Sequence, residues 1–389
     1  MLLDLKRKPF ILYETLGMAS MYYTKRSFIK IAENLIGKFG DVLSQDQLDE
    51  MRSNAMLIEQ FTYDVCSDMD IDAPDIKFFF KPFDTGRPNE TNCVAKICIL
   101  SFRNLTDTEF DAQIEGTKGR WRKLREEGVE VVDFSGAGIS FASTKGKPVP
   151  NLFEQLYSTQ YPHDAKMDAF RVLDNFDHYM DKLAEIMRPY ATRLVEGMPR
   201  LLPIYNSVVS MWEQSFANMV PNQMLDLIRV DPANMITPDT AVGFSLFSFN
   251  EIGFGYEPGT NDNIATIYIG AGVYPEYTQG RSEKRADKLA EIMKSFTDPV
   301  KIDILSRLFH ESDYCLNIAQ KMELNAGNMS RHLTTLYENG MLLKERRNLR
   351  TYYSTDLQSI MRTFSDVQKY IKINQVGSGG SNSGGNNNS

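Results

Sequence analysis

Apolar residues recur at helical spacing along much of the chain. Ile11 to Tyr23 sets Leu12, Leu16 and Ala19 on one face, and Ser27 to Phe39 does the same with Ile31, Leu35 and Phe39. Gln45 to Cys66 continues as helix. Ile76 to Phe80 and Cys93 to Phe102 read as strands, separated by a turn-rich stretch, Asp84 to Asn92. Asp107 to Glu127 is charged and helical, with Thr106 and Glu109 spaced as a capping box. Val129 to Phe134 has the β-branched content of a short strand, and Gly136 to Pro150 reads as a loop. From His163 to Val220 the stripe Phe170, Leu173, Phe176, Met180, Leu183 and Met187 predicts helix, broken at Pro189 and Pro199. Ala241 to Phe249, Ile252 to Tyr256 and Ile264 to Ala271 read as strands, the last two joined by the hairpin loop Glu257 to Asn263. Pro275 to Gly280 reads as a link between domains.

Beyond that link the pattern becomes a compact series. Lys284 to Ser295 is an amphipathic helix with Leu289, Ile292, Met293 and Phe296 on one side. Asp298 and Pro299 fit the cap and first position of a helix that runs to about Phe309 with Ile302, Leu305 and Leu308 inward. A short helix, Leu316 to Met322, comes next. Asn325 can cap the following one, Ala326 to Glu338, and Gly340 can end it in a left-handed conformation. Two short helices across a tight turn form a helix-turn-helix pattern. The period then changes to that of two strands, Met341 to Glu345 and Thr351 to Ser354, joined by the basic run Arg346-Arg347-Asn348-Leu349-Arg350.

The length suits two or three domains at about 100–200 residues each. With 42% hydrophobic and 24% charged residues, the chain can bury a sizeable core. No apolar run reaches the ~18–20 residues that cross a bilayer, and Met1 to Phe10 lacks a signal-peptide pattern, so a cytoplasmic protein away from membranes is expected. Cys66, Cys93, Cys98 and Cys315 are too scattered for a disulfide framework and read as free thiols. The net charge of −8 is unevenly spread. Arg281 to Lys372 carries 16 Lys and Arg against 12 Asp and Glu, so any nucleic acid is expected at the C-terminal part.

The residues Asp298-Pro299 to Leu305, Leu324 to Leu333 with Ser330-Arg331-His332-Leu333, Leu336, Asn339 to Leu342, and Tyr352-Tyr353 resemble the ArsR-type winged-helix repressors. The resemblance spans roughly 75–90 residues and leaves the first 280 untouched. It implies a homodimer formed by the first and last helices of the module, Lys284 to Ser295 and Leu357 to Ile373. The last carries Leu357, Ile360, Met361, Phe364, Val367 and Ile371 at i, i+3/i+4 spacing, which also suits packing on its own chain. It further implies that the Ala326 to Glu338 helix enters the major groove of double-stranded DNA. Asn328 and Arg331 are then the candidates for base edges, with Ala326 and Gly327 allowing close approach. Ser330, Arg346, Arg347 and Arg350 are candidates for holding the phosphate backbone, the hairpin arginines also for entering a minor groove; the capping Asn325 is a further DNA-binding candidate, and His332 is one for packing or a phosphate contact. Many such repressors hold a metal through two cysteines before the turn. Here Asp313-Tyr314-Cys315-Leu316-Asn317 offers one, so no metal or other cofactor is expected.

No catalytic set emerges from the first 280 residues. Ser135 to Phe141 lacks the Gly-Lys-Ser/Thr of a phosphate loop, and neither a metal-protease nor a nucleophile-elbow motif occurs. The aromatic residues Phe78 to Phe80, Tyr205, Trp212 and Phe244 to Phe254 read as core before pocket. The expectation is an α+β protein: residues 1–275 a mixed region that senses a small-molecule effector or sets oligomeric geometry, with a possible division near 150–163; residues 281–373 a winged helix-turn-helix domain; and residues 374–389 a disordered Gly/Ser/Asn tail. The corresponding function is a DNA-binding regulator of transcription, a repressor and not an enzyme. The alternative is a winged helix used for protein contact beside an N-terminal domain that is an enzyme or enzyme-derived.

Overall fold

The computed structural model describes residues 3–86, 91–99, 106–135, 138–143, 151–158, 162–218, 236–256, 264–278, 289–347 and 349–357, with 359–361, 363, 364, 367 and 368. The chain forms two compact units, Met1–Gly280 and Arg281–Ser389. Each has its own apolar core. The architecture is mixed helix and strand, compatible with the α+β class.

In chain order the larger unit contains β1 (Asp4–Leu5), α1 (Ile11–Tyr23), α2 (Phe28–Phe39), α3 (Gln45–Cys66), α4 (Pro74–Phe80), β2 (Phe83–Asp84), β3 (Thr91–Asn92) and α5 (Val94–Cys98). Then come α6 (Phe110–Glu127), β4 (Val129–Ser135), β5 (Gly138–Ser143), α7 (Leu152–Ser158), α8 (His163–Asp174), α9 (Phe176–Gly197), α10 (Leu202–Asn218), β6 (Ile236–Ser245), β7 (Ile252–Tyr256) and β8 (Ile264–Gly270). The main sheet has the order β1-β6-β8-β7. Its first three strands are parallel and β7 runs antiparallel to β8. Parallel strands are usually covered on both faces, and here Val242, Phe244, Ile267 and Ile269 on one face and Thr266 and Tyr268 on the other are all buried.

α1 is central to this unit. Nine of its thirteen residues are buried, Glu14 among them. The Glu14 carboxylate accepts from the backbone N–H groups of Leu246 (3.2 and 3.1 Å to its two oxygens) and Phe247 (3.3 Å), and from the Ser245 hydroxyl (3.2 Å). These donors lie where β6 ends, which is why the strand stops at Ser245 and not at Phe249: a buried carboxylate takes the N–H groups a longer ladder would use. Tyr205 and Trp212 are buried with this core, the Trp212 N–H donating to the Val273 carbonyl (3.2 Å).

Several elements depart from their sequence pattern. The stretches Ile76 to Phe80 and Cys93 to Phe102 are not strands where described. Pro74 opens α4 at a position that needs no N–H, and Ile76, Phe79 and Phe80 bury at helical spacing. α5 buries every residue except Lys96, whose ammonium reaches Glu251 (3.1 Å). Short apolar runs buried on several sides carry no decisive period, so tertiary packing chose. Thr106 and Glu109 form no capping box: Glu109 is itself the cap residue of α6, without a side-chain cap bond. Gly138–Ser143, inside the expected loop, is a strand paired with β4. Pro189 sits within α9, held by buried Leu183, Met187 and Leu194, and the break falls at Asn175 instead; that at Pro199 is a 3-10 turn. Pro275–Thr278, expected as linker, is a 3-10 turn of the larger unit. Its Tyr277 ring stacks on Phe39 at 4.1 Å and its hydroxyl donates to the Gly272 carbonyl. The loop at 257–263, residues 284–288 of the helix expected from Lys284, and the tail at 374–389 lie outside the described residues; 289–293 is helical and Lys294–Phe296 closes it as a 3-10 turn.

Candidate nucleic-acid interface

The smaller unit is built on the helix Pro299–His310. The Asp298 carboxylate caps it by accepting from the Val300 N–H (3.1 Å), and Pro299 takes the first position. Ile304, Leu305 and Leu308 are buried, whereas Ile302, expected inward, is exposed. A three-stranded sheet follows, in the order β10 (Leu342–Arg347), β11 (Arg350–Thr355), β9 (Asp313–Tyr314). The Thr355 hydroxyl ties β11 to this first helix through the Leu305 carbonyl (2.7 Å).

The helix-turn-helix consists of Cys315–Lys321 and Ala326–Glu338. Asp313 fixes the entry to the first. Its carboxylate accepts from Asn317 (2.9 and 2.8 Å), Lys321 (2.9 Å) and the Tyr314 N–H (2.8 Å). Burial alone would raise this carboxyl, but the bonds from Asn317 and Lys321 outweigh it and hold it below the usual range. The Cys315 thiol faces the start of the second helix, donating to the Ala326 carbonyl at 3.7 Å, and burial raises its pKa. A raised thiol is the opposite of what a thiolate-based sensor needs. Between the helices Glu323 takes φ 54°, a left-handed conformation that suits glycine, and Leu324 N–H returns to the Ala319 carbonyl (2.9 Å).

The second helix presents the candidate residues. Asn325 caps it, its Oδ1 accepting from the Gly327 N–H at 2.7 Å. That oxygen is therefore engaged by its own helix. Met329, Leu333 and Leu336 form the buried line. At about 100° per residue, Gly327, Arg331 and Thr334 fall on the opposite side, with Asn328 and Ser330 flanking them. All five are exposed, as is Ala326. His332 lies apart, turned inward, with Nδ1 3.7 Å from the Asp298 carboxylate. The structure thus gathers Ala326, Gly327, Asn328, Ser330 and Arg331 on one solvent face and places His332 at the junction with the preceding helix. Thr334, one turn beyond Arg331, is a surface residue of the same face that the sequence did not single out.

Gly340 ends the helix at φ +73°, and the chain enters the β10–β11 hairpin. Its register pairs Arg347 with Arg350, Arg346 with Thr351 and Glu345 with Tyr352. Alternation then divides the basic run. Arg347 and Arg350 share a face with Tyr352 and, across β11, Tyr314. Arg350 lies over the Tyr314 ring (4.4 Å), Arg347 over Tyr352 (4.9 Å), and the two rings meet edge to face at 5.5 Å. Arg347 also donates to Glu345 (2.9 and 2.7 Å). Arg346 is exposed on the other face, alongside Lys344, whose ammonium lies over Tyr337 of the second helix (4.4 Å). Leu349, between Arg347 and Arg350, is 91% exposed.

Past β11, every described residue from 357 to 368 is helical. Ile360 joins the unit's core while Leu357, Met361 and Phe364 remain exposed, Phe364 ring-packed on Phe296 at 4.8 Å. Ile371 lies outside the described residues. Among the described residues no His, Cys, Asp and Glu group could hold a metal ion, and no helix is long and apolar enough to cross a membrane.

No family model matches the chain, and no curated protein matches it. Among solved structures there is similarity to a homodimeric winged helix-turn-helix DNA-binding domain from Mycobacterium bovis, described as a possible ArsR-family transcriptional regulator. The identity is 18% and the TM-score 0.19, over 28% of this chain and 94% of that one.

Proposed function

We propose that the chain is a sequence-specific DNA-binding regulator of transcription. The observation that carries this reading is the exposed start of the helix Ala326–Glu338. Gly327, Asn328, Ser330 and Arg331 face outward from a helix anchored by three buried residues, beside a hairpin that carries Arg346, Arg347 and Arg350. Arg331 and Asn328 match the donor and acceptor edges of guanine and adenine in a major groove. Ser330, Arg346 and Arg350 supply phosphate contacts. Arg347 is already engaged by Glu345 and contributes less charge. The balance of 16 basic against 12 acidic residues from Arg281 to Lys372, within a chain of net charge −8, favours this end for DNA.

The working form is a homodimer. Support comes from Leu357 and Met361, apolar and exposed on the last helix, with Phe364 half-exposed beside its contact to Phe296. A two-fold dimer reads half-sites about 34–36 Å apart or multiples of it. The larger unit, in this reading, senses a small molecule and biases dimer geometry, and occupancy of a promoter gives repression. The chain acts without an enzymatic step or cofactor and resides in the cytoplasm.

The test is a mobility shift on the DNA upstream of the protein's own coding sequence, at two salt concentrations, with Arg331→Ala alongside. Specific, salt-sensitive binding is expected, weakened about 10–100-fold in the variant. Equal binding of random and upstream DNA by both proteins sinks the reading and turns attention to a protein partner for the hairpin.

A further inference from the structure

Among the described residues of the smaller unit, Leu349 is the large apolar side chain most open to solvent, at 91% exposure. A lone exposed leucine is unremarkable on a surface, but this one has a built setting. It sits at the tip of a hairpin, between the paired residues Arg347 and Arg350. The base of that hairpin is held firmly. β9 joins the sheet only at Tyr352 and Tyr353. The Tyr314 and Tyr352 rings carry Arg350 and Arg347 on their faces. Beyond β9 the two strands project two further residue pairs, about 7 Å at ~3.4 Å per residue.

We infer that Leu349 is an apolar wedge that presses on a base step in the DNA minor groove, with Arg346 and Arg350, on opposite faces of the hairpin, on the phosphates to either side. The inference rests on the DNA-binding reading. The strands of a hairpin are too wide for a minor groove of about 6 Å, so the tip side chains are what can enter. The charge around the tip selects an anionic partner, which an isolated apolar surface would not. Leucine is among the residues that part base steps when arginines bracket the groove. Pyrimidine–purine steps such as TA open most readily, so a preference for TA under the hairpin follows without any hydrogen bond to a base.

The test uses the full chain and a duplex selected by it from a random-sequence pool. 2-Aminopurine, whose fluorescence rises on unstacking, is placed in turn at each position flanking the site. The wild type is expected to raise the signal at one step outside the major-groove contacts and to prefer TA there. Leu349→Ala should abolish both and weaken binding about tenfold, with the salt slope unchanged. Arg346→Ala, by contrast, should lower the slope by about one and keep the fluorescence change. Because Leu349 is 91% exposed, its replacement removes little packing and leaves the hairpin folded. A duplex that binds specifically but shows no signal at any flank, with Leu349→Ala binding equally well, overturns the wedge and leaves the DNA reading standing. If no sequence is enriched from the pool, both fall.

Discussion

Glu14 is fully buried in the larger unit, and its carboxylate accepts from the Leu246 and Phe247 N–H groups and the Ser245 hydroxyl. Burial pushes its pKa up to about 8, although those donors pull the other way. The folded state therefore holds a proton that the unfolded chain gives up at its ordinary value near 4.5. Stability from this group is complete below that value and falls as pH rises towards about 8, where both states are ionised. Glu14→Gln should keep acceptance from the backbone donors and flatten the decline. Denaturant titrations of both proteins across that range check it; parallel pH profiles would remove Glu14 as the cause. At Asn325 and His332 the geometry agrees with the capping and packing that the sequence suggests. The first uses its oxygen as a helix cap and the second faces Asp298, so Ala substitution at either acts on the shape of the helix-turn-helix first.

Among the elements, the last helix divides its apolar residues between two tasks. Ile360 packs into its own unit, while Leu357, Met361 and Phe364 are spaced by four and three residues and stay exposed. Leaving such a stripe in water forfeits about 25 cal/mol for each Å² that a partner would cover. Met361→Glu is expected to shift the protein from dimer to monomer in sedimentation equilibrium with the unit still folded. It should also weaken operator binding, because each half-site then binds singly. A variant that sediments as the wild type would place the interface elsewhere. The sequence spacing allowed both self-packing and a partner; in the structure Ile360 packs on its own unit, Phe364 leans on Phe296, and Leu357 and Met361 are exposed.

At the scale of the molecule, two cores without shared members predict two unfolding events. Calorimetry should resolve them. The transition of the larger unit should move with pH through Glu14, and that of the smaller should rise on addition of a specific duplex, since a ligand stabilises the unit it binds. A single transition that rises as a whole with DNA would mean the units unfold together. The uneven charge belongs to this scale too: on the proposed DNA reading the acidic larger unit would repel the duplex and leave the basic hairpin and helix to set the approach.

Periodicity, caps and turn residues were enough to read α1, α3, the Asp298 cap, the Asn325 cap, the Ala326–Glu338 helix and the Gly340 stop, because each depends on neighbours within a turn or two. The exposed candidates on that helix were legible for the same reason: a long helix with a clear buried line fixes its own outer face. Elements decided by distant contacts were not. α4 and α5 look like strands until their burial on several sides is known. β5 needed β4 to pair with, and Pro189 needed packing on both sides to stay within α9. The grouping of the hairpin arginines by face, their stacking on Tyr314 and Tyr352, and the isolation of Leu349 at the tip all depend on strand register. Register is a property of two segments together, so only the folded chain could set it.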